Sequence, residues 1–135
     1  MRLRAYLSLL LLTLFAGQGA AASDAPIEVP SGQPVQLQEV LIDDLGAETW
    51  LRFRFIAPQI AREGGTVDYA QAEMDFEYLC EALALPYMSD FELEGDVIVV
   101  SLSDRATEFG KPDPEATQFF EAFRVVDEIC IWEGL

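Results

Sequence analysis

Cys80 and Cys130 fix more about the fold of this chain than any other two positions. They are its only cysteines, so a single disulfide connectivity exists, and an oxidising compartment favours forming it. Their separation is far from the two-residue spacing of redox-active pairs, and two thiolates without histidine cannot complete a usual zinc shell. A structural staple is therefore expected, and closing a loop of this length stabilises a domain by about 4 kcal/mol in the chain-entropy account.

The compartment is read from the N-terminus. Met1-Arg2-Leu3-Arg4 is a short cationic start, residues 5–16 (AYLSLLLLTLFA) are an apolar run, and Ala20-Ala21-Ala22 has the small side chains of a cleavage site. Residues 1–22 thus read as a signal peptide with cleavage after Ala22. The apolar run is shorter than the roughly 20 residues that span a bilayer, so no membrane span is expected after its removal. No cysteine stands beside the cleavage site to accept a lipid. The expected location is the periplasm or the extracellular space.

Composition narrows the chemistry. Histidine is absent, and 24 acidic side chains face 8 basic ones for a formal charge of -16. Losing residues 1–22 removes Arg2 and Arg4 and leaves six cations. Ser-His-Asp and Cys-His catalysis and imidazole metal sites are excluded. So few cations cannot supply affinity for a phosphate backbone or for anionic lipid, and no nucleic acid is expected as a partner. Asp96, Asp104, Glu108, Asp113 and Glu115 could offer oxygen ligands, but they lack the spacing of a calcium loop. No metal, cofactor or catalytic residue is assigned.

Along the chain, residues 23–34 (SDAPIEVPSGQP) carry three prolines without periodicity and read as an extended leader, with a single domain at 35–135. Residues 35–42 and 50–56 are strands, the second alternating strictly, with Leu51, Phe53 and Phe55 opposite Trp50, Arg52 and Arg54. Residues 68–85 form the one convincing helix. Asp68 is its N-cap, Gln71 completes a capping box, and Pro86 stops it. Tyr69, Ala72, Phe76, Leu79, Cys80 and Leu83 make its core-facing stripe. Met74, Tyr78 and Leu85 fall on the far side, either as a small binding stripe or beneath a folded-back loop at 86–95. Residues 96–103 are the most apolar strand and so central. Residues 117–126 and 129–133 read as a hairpin around Asp127-Glu128, which opposes Val125 to Cys130 and Phe123 to Trp132 on the face the helix covers.

The order strand, strand, helix, strand, strand, strand predicts an α+β domain of two layers: a mainly antiparallel five-stranded sheet with one helix packed on one face. Two groups of side chains stand out as candidate surfaces. Trp50, Arg52 and Arg54 could hold a carboxylate or a sugar acid, unless nearby acids such as Glu39 consume the charges. Phe120, Arg124, Val126, Ile129 and Ile131 would form a partner surface on the far face of the hairpin, unless the first two strands curl over it. The functional expectation is a small acidic, non-enzymatic binding or interaction module acting on a periplasmic or envelope protein. The alternative is a histidine-independent hydrolase of cell-envelope material that uses carboxylates or a hydroxyl nucleophile.

Four stretches, PSGQPVQLQEVL at 30–41, RFRFIAPQIAREGGTVDY at 52–69, IVVSLSDR at 98–105 and DPEATQFFEAFRVVDEICIWEG at 113–134, resemble a family of small exported alphaproteobacterial proteins of the Rhodobacter group whose function is unknown. The resemblance implies a Gram-negative periplasmic origin and pairing of Cys80 with Cys130. It implies no catalytic residue, cofactor or substrate.

Overall fold

The computed structural model describes residues 25–134. The signal peptide expected at residues 1–22 lies outside them. Five strands, β1 (Gln36–Asp44), β2 (Thr49–Ile56), β3 (Val97–Ser103), β4 (Gln118–Val126) and β5 (Ile129–Glu133), form one sheet in the order β1-β2-β3-β4-β5. Each strand lies beside its predecessor in the chain. Three pairings are antiparallel; β2 and β3 pair in parallel, because the helix between them carries the chain back over the sheet. The α+β two-layer architecture expected from the sequence is thus present, with one parallel pair at its centre.

The helical layer starts where its capping signals place it. Asp68 accepts from the Gln71 amide and the Gln71 side chain accepts from the Asp68 amide, both at 2.9 Å, and α1 (Tyr69–Leu79) follows. Pro86 does not end it. A π-helical turn at Cys80–Ala84 leads into α2 (Leu85–Asp90). The Leu85 amide reaches back five residues to the Cys80 carbonyl, and this wider turn relieves the clash that a proline ring makes with the carbonyl four residues earlier in an α-helix. The extra residue also moves the inward stripe. Ala72, Phe76, Leu79 and Cys80 are fully buried as expected, but Tyr69 stays exposed at the helix start with its hydroxyl donating to Glu121, and Ala84 replaces Leu83 as the next buried position. Met74 and Tyr78 remain exposed, so residues 86–95 do not cover them.

Alternation in the strands decides which side chains meet the helix. Leu51, Phe53 and Phe55 of β2, with Ile98, Val100 and Leu102 of β3, form the floor of the core beneath Phe76 and Leu79. The hairpin register is the expected one, Val125 opposite Cys130 and Phe123 opposite Trp132. Its two-residue turn holds Asp127 and Glu128 at φ of 50° and 61°, the left-handed pair that lets a tight turn follow the twist of its strands. Trp132 departs from expectation. It is on the helix face but stays largely exposed, beside Glu73 and Glu77 of α1, with its indole donating to Glu121. The disulfide Cys80–Cys130 joins the start of the π turn to β5, with the two Cα atoms 6.3 Å apart.

The fold begins before Val35, the start expected from the sequence. Ile27 bridges Val35, the Gly32 amide closes a turn onto the Val29 carbonyl at 2.9 Å, and Val29 and Val35 are both buried in the core. The segment is clasped to α1 by Asp75, which is itself fully buried. Its carboxylate accepts from the Ser31 amide (2.8 Å), the Ser31 hydroxyl (2.6 Å) and the Gln33 side-chain amide (2.8 Å). Prolines at 26, 30 and 34 exclude this stretch from sheet ladders, yet they do not prevent it from packing.

Candidate functional site

Sheet register places the outward residues of β2, Trp50, Arg52 and Arg54, beside Val97, Val99 and Ser101 of β3, and these beside Arg124, Ala122 and Phe120 of β4. Ile131 and Ile129 of β5 continue the row, opposite Arg124 and Val126. Both candidate surfaces therefore lie on one face, the one opposite the helix. The first two strands do not curl over it. Instead, the loop 104–117 between β3 and β4 folds across the part nearest β2.

Thr107 pins that loop. Its carbonyl accepts from Gln38 (2.9 Å) and Arg54 (3.1 Å), and its hydroxyl is bonded by Arg54 (2.8 Å) and Gln118 (3.0 Å). Phe109 then comes over the guanidinium groups of Arg52 and Arg54, at 5.3 and 5.5 Å from its ring centre. On its other side Arg52 meets Trp50 at 5.4 Å. The result is a ladder of aromatic and guanidinium planes, of the kind that gains from the ring quadrupole.

Acids consume much of the arginine charge. Arg52 donates Nε and Nη2 to Asp43, at 3.3 and 3.1 Å, and Arg54 donates Nη1 to Glu39. A bulge in β1 makes the second pair possible. Leu37 faces Phe55 in the core, and the register shift that follows turns Glu39 outward against Arg54, whereas an unbroken strand would put residues two apart on the same face.

Between loop and sheet is a cavity of about 290 Å³ lined by Arg52, Arg54, Val99, Ser101, Phe109 and Phe120, with Glu108, Lys111 and Gln118 around them. Phe120, grouped by sequence with the hairpin patch, belongs here. Its register partner is Ser101, which is also the partner of Arg54. The rest of that patch forms a second locus. Val126, Ile129 and Ile131 are 46%, 54% and 50% exposed, and Arg124 beside them is held by Glu48 (2.7 Å) and Glu133 (2.9 Å). These bonds keep the guanidinium charged above its ordinary range, the Glu48 contact contributing most.

Asp104 anchors the base of the loop. Its carboxylate accepts from the Thr117 amide at 2.7 Å and from Arg105 at 3.0 Å. Burial pushes the carboxyl upward, but these bonds outweigh it and hold the group below its ordinary 3.8. A carboxyl lowered on folding adds stability above its ordinary range and loses it as pH falls through the lowered value. A carbon-detected NMR titration is therefore expected to find its midpoint below 3.8, with the protection of the Thr117 amide, relative to its intrinsic exchange rate, falling once the carboxyl is protonated. A midpoint at or above that value would break the proposed anchor.

Thr107 and Phe109 were not singled out by the sequence, although a lone phenylalanine in the polar loop DRATEFGKPDPEA is a signal of a tertiary contact, here with the two guanidinium groups. Chemically, the site offers guanidinium and hydroxyl donors beside aromatic walls. Among the described residues no group of three or more Cys, Asp or Glu side chains is placed to hold a metal ion.

No curated protein and no solved structure matches the chain. The resemblance read from the four sequence stretches does have a counterpart at family level: the match runs over residues 11–135, and the chain belongs to DUF6497, a family of unknown function.

Proposed function

We propose that this chain is a non-enzymatic interaction module of the periplasm or extracellular space, delivered by a signal peptide cleaved after Ala22, and that its partner is an envelope protein docked at the hairpin end of the helix-free face. The disulfide supports an oxidising compartment, and no described helix is long and apolar enough to cross a membrane. One observation carries the docking surface: Val126, Ile129 and Ile131 stand about half exposed at the sheet edge formed by β5. At this edge the Cys130 amide already donates to Glu81 (3.3 Å), so the apolar side chains carry the docking.

Charge selects the partner. Asp127, Glu128 and Glu133 border the patch, in a chain of formal charge -16. The complementary partner is a basic segment with alternating apolar side chains, since like charges across an interface are costly. Zero-length carboxyl-to-amine crosslinking in envelope extracts should join Glu128 or Glu133 to a partner lysine. Ile129→Lys combined with Ile131→Lys should abolish that product. Crosslinks confined to the helix acids Glu73 and Glu77, or a product that survives the double substitution, would overturn the proposal.

A further inference from the structure

Three of the six cations outside residues 1–22, Arg52, Arg54 and Lys111, line one cavity of a chain that carries 24 acids. The carboxylates paired with the arginines, Asp43 and Glu39, are not among its walls; Glu108 is the one acid that is. Pairing leaves donors over. Arg52 uses Nε and Nη2, and Arg54 uses its two Nη atoms, so Arg52 Nη1 and Arg54 Nε bond nothing among the described residues. The Ser101 hydroxyl is likewise unbonded, on a residue only 8% exposed. Arg54 is also 8% exposed, so its charge acts where water screens it least.

The remaining wall is apolar, with Val99, Phe109 and Phe120 facing the same space. We infer that this cavity binds a small amphipathic monocarboxylate, an apolar or aromatic body bearing one carboxylate. The volume sets the size, since about 290 Å³ lies just below the range of about 300–1,000 Å³ typical of ligand sites. The field of the protein sets the class. A strongly negative chain repels anions, so a small inorganic anion or a polyanion gains too little from three partly neutralised cations. A ligand that also buries an apolar body against Phe109 and Phe120 adds a term that repulsion does not touch. Its carboxylate then takes the free guanidinium and hydroxyl donors as charge-assisted hydrogen bonds. Lys111 is available as well, because its one ion pair among the described residues, with Glu108, joins two exposed side chains and is weak.

The site is separate from the docking edge, and its test needs no protein partner. Phenylacetate, phenylacetamide and inorganic phosphate are titrated into the oxidised protein while amide NMR shifts are followed. Phenylacetate should saturate shifts at Ser101, Phe109 and Phe120 and bind about tenfold tighter than the amide, the difference expected of one charge-assisted contact set. Phosphate should leave those shifts unmoved. Arg54→Ala would strand Glu39 and Thr107 and risk misfolding, so the informative variants are Lys111→Ala and Phe109→Ala, each expected to weaken phenylacetate about threefold or more. Absence of saturable shifts at these residues would overturn the inference. Equal affinity for the amide would overturn its anionic part, and equal affinity for phosphate its apolar part.

Discussion

Replacing both Cys80 and Cys130 with alanine is expected to lower the free energy of unfolding by about 4 kcal/mol, the chain-entropy value for a closed loop of this length. A domain of this size has about 5–15 kcal/mol in all, so the loss is a large share of the total. The helix has little to replace it. Glu73, Glu77 and Glu81 repel at i, i+4 spacing, and no Lys or Arg occurs anywhere from Glu63 to Asp104. The strand is also exposed to the loss, because among the described residues β5 is an edge strand that pairs only with β4. Urea unfolding of the oxidised and double-alanine proteins measures the difference, and hydrogen exchange should show β5 opening first. A difference under about 1 kcal/mol would mean that packing and the Cys130 amide's bond to Glu81 hold the helix to β5 without the disulfide.

Asp75→Ala is expected to cost about 3 kcal/mol, although the substitution introduces a better helix former. Three donors converge on this fully buried carboxylate, and each buried donor left without an acceptor costs about 1–3 kcal/mol, with water entry at the half-buried Ser31 reducing the sum. The damage should be local before it is global. Ser31 and Gln33 hold the 27–35 segment on the core, so limited proteolysis should cut residues 25–34 in Asp75→Ala under conditions that leave the parent intact. Asp75→Asn retains one acceptor and should fall between the two. Parent-like stability in the alanine variant would show that Val29 and Val35 anchor the segment unaided.

Asp75 also marks where sequence reading stops. It lies three residues after Ala72 and four before Leu79, at the border of the inward stripe, and a carboxylate there is a signal that a partner exists. That partner is more than forty residues away, in a stretch whose prolines suggest an extended leader. The Pro30-Ser31-Gly32 turn was visible as residue types, with glycine at a φ of 79°, but local chemistry cannot say what a turn packs against. The hairpin register and the capping box were legible because each is set by residues within a few positions. The face shared by Trp50, Arg52, Arg54 and Phe120 was not, since it follows from the order of the strands. Nor was the β1 bulge, which sends Glu39 to Arg54, or the π turn, which carries the helix through Pro86.

The cation-free helix has a kinetic consequence. The helical layer holds Glu73, Asp75, Glu77 and Glu81 on one side of the sheet, while Arg52, Arg54 and Arg124 stand on the other. Because Asp43, Glu39, Glu48 and Glu133 balance those arginines, the far face is near neutral while the helical face is negative, and the domain's negative field is uneven across the sheet. An approaching small anion is repelled by the whole and turned toward the arginine side, whereas a basic protein is attracted by the whole. Added salt screens this field beyond about 8 Å at physiological strength. It should therefore speed the encounter with the anion and slow the encounter with the basic partner, opposite responses from two neighbouring sites on one face.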